Sequence, residues 1–260
     1  MLAKRAQIST FLIIGIIILF VTGAALYARS ILVKKTIEPA TPAGAIETAQ
    51  LKSYVELCLK SVGDDAVIQV GKTGGFMEPV PLPSLTFNGT DTYYWFYVNK
   101  TIAPSKAIVE NEISNYIIYN LDSCIQNFTN FRAQGYEITA GKISPNITIG
   151  SDQVSLKLNY PVTMKRGTAT AVVPDYEASV NVRLGKILDA VEALMSDQEK
   201  NPEMLCLSCL TLQSVTNNLR FENKYYDDME YIKLIDDAVP VNNNPYEFSY
   251  AVKLAPLRLT

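Results

Sequence analysis

The chain has 260 residues, 48% hydrophobic and 19% charged, with 23 Lys and Arg against 26 Asp and Glu and a formal net charge of −3. That apolar content describes a folded protein, and the slightly acidic balance, without a dense cationic run after residue 45, excludes nucleic acid as a partner. Histidine is absent, which removes Ser-His-Asp and Cys-His catalysis and every His-containing zinc or iron site.

Residues 1–7 form a short basic leader carrying Lys4 and Arg5, and residues 8–28 contain no charge at all. A run of about 20 apolar residues at 1.5 Å each crosses a hydrocarbon core of roughly 30 Å, so a transmembrane helix is predicted over 8–28. Tyr27 stands where an interfacial aromatic belongs and Arg29 closes the span. Arg29, Lys34 and Lys35 balance the cations before the span, so charge counting does not orient it. The short basic tail, with cysteine and sequon usage downstream, places the N-terminus in the cytoplasm and the soluble domain outside the cell, with the lipid bilayer as first partner.

The residues Lys4-Arg5-Ala6-Gln7-Ile8-Ser9-Thr10-Phe11 resemble the class III leader of archaeal type IV pilin-like and archaellin-like proteins. The resemblance covers about thirty residues and implies cleavage between Ala6 and Gln7, with self-association or assembly with other pilin-like or envelope proteins. The chain departs from the fuller pilin pattern in having no Glu early in the apolar helix.

Residues 29–44, with two prolines, read as a linker to an α+β soluble domain over 45–260, with a candidate subdivision near 135. Leu51, Tyr54, Val55, Cys58, Leu59 and Val62 mark one face of a helix with Gly63 as its C-cap. Residues 66–70 then read as a short strand, and Pro79, Pro81 and Pro83 as an extended path. Residues 92–98 are strongly β-prone. A second helix is predicted from the N-cap Ser105 through Val109, Ile113, Ile117, Leu121, Cys124, Phe128 and Phe131, ended by Gly135. Val154, Leu156 and Leu158, then Val162 and Met164, then Val180, Val182 and Leu184 alternate with polar residues as an antiparallel meander. A third helix follows over 186–199, and a strand over 248–254 after the turn at Asn242-Asn243-Asn244. The fold class is thus an N-terminal transmembrane helix followed by amphipathic helices packed on antiparallel strands. The stretch YVELCLK, the helix carrying Cys124 and the following hairpins also resemble uncharacterised single-span membrane proteins of small-genome archaea, a loose likeness that implies no activity.

Cys58 and Cys124 lie on the apolar faces of their helices; joined, they would close a loop of about 65 residues, worth about 4 kcal/mol. Two buried thiols are the alternative. Cys206 and Cys209 have the spacing of a local disulfide, of a redox motif and of half a zinc knuckle. Sequons stand at Asn88, Asn99 and Asn146, candidates for glycosylation, and at Asn127, which falls on a predicted helix.

Residues 66–73 match a relaxed phosphate-loop pattern, but the loop positions are β-branched and a Gly-Gly-Phe-Met-Glu-Pro run follows, so nucleotide is excluded as a ligand. No cofactor or metal motif is found. Carboxylates are paired at Asp64-Asp65, Asp227-Asp228 and Asp236-Asp237, and facing pairs of this kind hydrolyse glycosides. The run Tyr93-Tyr94-Trp95-Phe96-Tyr97 should send alternate residues to the core, leaving a contact patch among Tyr93, Tyr94, Trp95 and Tyr97. These features together favour a non-enzymatic, membrane-anchored cell-surface or envelope protein with pilin-like processing and a binding or assembly role. The alternative is an anchored extracytoplasmic hydrolase using paired carboxylates.

Overall fold

The computed structural model of the protein describes residues 48–77 and 79–256. The leader, the processing position Ala6-Gln7, the expected membrane span over 8–28 and the linker lie outside those residues. Among the described residues no helix is long and apolar enough to cross a membrane. The expected fold class is corrected on that point: what the described residues show is a sheet-rich α+β domain, and no transmembrane helix is shown among them.

Helix α1 (Thr48–Thr73) runs for 26 residues and opens the domain. A hairpin of β1 (Ser84–Phe87) and β2 (Thr90–Tyr97) follows, and β2 turns back into the short β3 (Lys100–Thr101). Helix α2 (Lys106–Ile125) starts on its N-cap Ser105, whose side chain accepts from the Ile108 amide, and a short α3 (Thr129–Ala133) succeeds it. Strands β4 (Glu137–Ala140), β5 (Ser144–Ile149), β6 (Gln153–Arg166) and β7 (Ala169–Asn181) build one antiparallel sheet. Helices α4 (Leu184–Gln198) and α5 (Leu207–Asn217) lead to β8 (Arg220–Tyr226), β9 (Met229–Val241) and β10 (Asn244–Lys253). These last strands join the first hairpin in a six-stranded sheet of order β1-β2-β10-β9-β8, with β3 also on β2. The β2–β10 pairing is parallel and joins the first hairpin to the last strands in mid-sheet.

The sequence reading ended the first helix at Gly63 and made residues 66–70 a strand; instead α1 continues unbroken through both. Gly63 is a packing position rather than a cap, because an added Cβ would overlap the Leu156 side chain of β6. Gly71 does the same against β10, where a Cβ would meet the Glu247 carbonyl and the Tyr246 hydroxyl at 2.7 Å. One helix thereby crosses both sheets at its two glycines. The true stop is Gly74 and Gly75, with φ of 76° and 96°, and the Gly75 amide closes back onto Val70 O at 2.9 Å. The six-stranded sheet satisfies the carbonyls of this last stretch: Tyr246 OH donates to Val67 O at 3.1 Å, Thr92 Oγ1 to Lys72 O at 3.2 Å and Trp95 Nε1 to Gly74 O at 2.8 Å.

The second helix is interrupted where the periodicity ran on. Gln126, Asn127 and Phe128 take φ of 49°, 51° and 56°. Tyr54 OH donates to Ile125 O at 2.9 Å, which satisfies the carbonyl freed by the break. Phe128 and Phe131 stay buried beyond it, so apolar spacing alone hid the kink. Residues of both sheets and of α1, α2 and α4, on either side of position 135, share one hydrophobic core.

Arg183, just before α4, locks the far side of the domain. Its Nε and Nη2 each lie 2.7 Å from an Asp236 carboxylate oxygen on β9, and Nη1 and Nη2 donate to Asn217 O and Asn218 O at 3.0 and 3.1 Å. Asp236 is fully buried and also accepts from the Ala238 amide at 2.9 Å. Removing one partner of such a pair strands a charge in the interior at a cost of about 3–5 kcal/mol, whereas replacing both with apolar groups is close to neutral. Arg183→Met should therefore lower the urea midpoint sharply, and adding Asp236→Leu should restore most of the loss; equal loss in the single and double variants would contradict the assignment.

Candidate functional site

A groove that combines an apolar floor with convergent polar groups lies between α4 and the chain entering α2. The turn at Val98-Asn99, with φ of 43° and 70°, folds β3 back onto β2 and delivers Thr101 to Lys106 as one wall. The opposite wall is one face of α4: Leu188, Asp189, Glu192, Met195, Ser196 and Glu199, spaced at helical intervals. The cleft has a volume of about 420 Å³. Its floor is apolar, made by Trp95, Leu188, Met195, Ala103 and Pro104.

The rim is acidic. Asp189, Glu192 and Glu199 carry three carboxylates against the single ammonium of Lys106, which reaches across the cleft to Asp189 Oδ1 at 3.3 Å. Thr101 also lines the cleft, and its hydroxyl oxygen is buried with no hydrogen-bond partner among the described residues. A buried hydroxyl in that condition costs free energy until something donates to it or accepts from it. The arrangement suits a ligand with a cationic head and an apolar stem, the head meeting the carboxylates and the stem lying on Trp95.

Glycoside hydrolysis would need two acids facing one another across the bond. Here Glu192 and Glu199 sit on the same helix, about 10 Å apart along its axis, and the opposing wall offers Ser105 and Lys106. The carboxylate pairs named from sequence do no better. Asp64 is paired with Lys60 at 2.5 Å, Asp228 with Lys253 at 3.1 Å, Asp236 with Arg183 and Asp237 with Arg220 at 2.5 Å. Asp236 and Asp237 are successive on a strand and point to opposite faces, one buried and one exposed.

The aromatic contact patch is corrected as well. Tyr93, Tyr94 and Trp95 are buried, at 9%, 3% and 2% exposure, and only Tyr97 reaches solvent at 37%. Strand β2 lies inside its sheet with both faces covered: Phe76 packs on Tyr93 at 5.2 Å, and Phe248 and Tyr250 on Trp95 at 5.6 and 5.8 Å. Trp95 keeps a role nonetheless, as the cleft floor.

Both cysteine pairs are bonded. Cys58–Cys124 joins α1 to α2 with Cα atoms 5.7 Å apart, and Cys206–Cys209 closes a local ring with Cα atoms 5.2 Å apart. No sulfur is left over for the four-cysteine zinc alternative, and no metal-binding group is found among the described residues. The Cys206–Cys209 pair stands at the start of a helix, with Cys206 as the N-cap of α5. Asn88, Asn99, Asn127 and Asn146 are all exposed, and Asn127 lies on the left-handed break after α2 rather than within a regular helix. The residues that sequence reasoning missed are Asp189, Glu192, Glu199 and Thr101. The spacing of the three acids on one face of α4 was visible, but not the loop opposite. Comparison with known proteins finds no matching family model, no matching curated protein and no matching solved structure.

Away from the cleft, Glu230 of β9 is buried, and that burial raises its carboxyl above the ordinary range, partly offset by Asn223 Nδ2 donating at 3.3 Å. Because the folded-state value exceeds the unfolded one, ionisation costs stability that is absent below the unfolded value and full above the folded one. Glu230→Gln should raise the melting temperature at about pH 7, with the gain shrinking as pH falls through the model-peptide value of 4.5. A gain that grows toward acid would show the wrong sign.

Proposed function

We propose that this protein works at the cell envelope, outside the cytoplasm, as a binding protein whose α4 cleft takes a cationic group on an apolar stem, such as a lysine or arginine side chain of an envelope partner. The observation that carries the reading is the cleft: a Trp95 floor, an acidic rim with formal charge of −2 and the Thr101 hydroxyl, unpartnered among the described residues, in its lining. Two disulfides support an oxidising location, since such bonds persist outside the cytosol. Four exposed sequons fit the same compartment. The basic-small pair ahead of Gln7 supports pilin-like processing as part of the proposal.

Trp95 is the protein's single tryptophan, so its fluorescence reports on the cleft without labelling. Titration with hexylamine should change that fluorescence saturably, while neutral hexanol at the same concentrations should not. Replacing both Glu192 and Glu199 with Gln should weaken amine binding by about tenfold, the loss of two partly exposed charge contacts. A lysine-bearing peptide that binds more tightly than the free amine would identify a protein partner; a free amine that binds more tightly would identify a small molecule. Equal responses to amine and alcohol, or no effect of the double variant, would overturn the reading.

A further inference from the structure

A second feature, remote in kind from the cleft, is the disulfide that opens α5. Cys206 is the N-cap, and its Sγ accepts from the Cys209 amide at 3.3 Å with Ser208 Oγ 3.5 Å away. A thiolate at that position would be held by an amide, a hydroxyl and the positive end of an 11-residue helix that bears no charged side chain. The two sulfurs are not equivalent. Cys209 packs against the hydrophobic core, whereas Cys206 lies outside it, between Met204 and Leu207, which are 65% and 53% exposed. Leu212 and Val215, 63% and 75% exposed, continue an uncharged apolar surface along the same helix. The other disulfide is built differently: Cys58 is 4% exposed within the core cluster and fastens two long helices. A bridge spanning three residues closes a far shorter loop than the 66-residue one and contributes less than half as much to stability. Holding the fold together is thus a poor account of why it sits, half-exposed, at a helix start.

From this geometry we propose that Cys206–Cys209 is a thiol–disulfide exchange site acting on dithiols of other proteins, with Cys206 as the sulfur attacked. The proposal goes beyond the binding role and stands independently of the cleft. A partner thiolate attacks Cys206 Sγ, the Cys206–Cys209 bond breaks, and Cys209 leaves as a thiolate that takes a proton from water. The partner's second thiolate then attacks the partner sulfur of the mixed disulfide and expels Cys206 as a thiolate held at the helix start. The partner dithiol has lost two electrons and two protons and become a disulfide; Cys206 and Cys209 hold the two electrons as a dithiol. Exchange with a second, disulfide-bearing protein runs the same steps in reverse and restores the site. The apolar surface from Met204 to Val215 fits segments of incompletely folded chains, which expose both apolar residues and thiols.

The full chain would be equilibrated in glutathione buffers of graded redox ratio, quenched in acid, alkylated and mapped by mass spectrometry. Cys206–Cys209 should open at a ratio about tenfold or more on the oxidising side of that which opens Cys58–Cys124. With Cys209→Ser, Cys206 should accumulate a glutathione mixed disulfide, while Cys206→Ser should leave Cys209 largely unmodified. The oxidised wild-type protein should oxidise a synthetic dithiol peptide stoichiometrically, and the Cys206→Ser variant should not. Circular dichroism of both variants checks that the fold persists. Co-reduction of the two disulfides, or mixed disulfide forming on Cys209 in preference to Cys206, would overturn the proposal. So would a peptide left reduced by the folded wild-type protein.

Discussion

Helix α1 is packed against both sheets at once, and its two internal glycines set how closely. At Gly63 the four-stranded sheet presses against the helix backbone through Leu156, and at Gly71 the six-stranded sheet does so through Glu247 and Tyr246. Cys58, between the first turn and Gly63, ties the same helix to α2 across a sequence separation of 66 residues. Closing a loop of that length removes conformational freedom worth about 4 kcal/mol from the unfolded chain. The consequence reaches the cleft. The end of α1 holds Trp95 through Gly74 O, and α2 begins at Ser105, so the floor and one wall are both referred to the same helix.

The second wall has its own anchor. Helix α4 starts directly after Arg183, which binds Asp236 on β9 and the last carbonyls of α5. The acidic face of α4 and the start of α5 are therefore positioned from the same ion pair. Carboxylates on the cleft rim are solvent-exposed and screened by salt, so in the proposed binding role they would favour selectivity for a cation more than raw affinity. The apolar floor would supply the non-directional part of that binding.

Much of the α+β architecture was legible in the residues. The period of two from Val154 to Val182 became β6 and β7, and the helical spacing of Ile187, Leu188, Val191, Leu194 and Met195 became α4. The facing of Cys58 and Cys124 was legible too, because both fall on buried faces of long helices. Three things were not. Glycines at 63 and 71 look like stops when only local propensity is weighed, and only the sheets packed on them show otherwise. Strand β8 shows no alternation because it is an edge strand with almost every residue exposed, while β9 shows none because both its faces are covered. The aromatic strand β2 was read as half-exposed for want of any sign that β10, from the far end of the chain, would pair with it in parallel. The cleft depended on α4 lying against Trp95 and the chain from Thr101 to Lys106, a long-range juxtaposition that local periodicity does not encode.

The covalent link between α1 and α2 underlies the placement of the core and the cleft alike. The most direct test is peptide mapping of the protein taken from its native cells with thiols blocked at lysis. Cys58 and Cys124 should be recovered as one linked peptide in essentially every molecule, with neither sulfur alkylated. Alkylated Cys58 and Cys124, or either one linked to Cys206 or Cys209, would contradict both the staple and the proposed oxidising location.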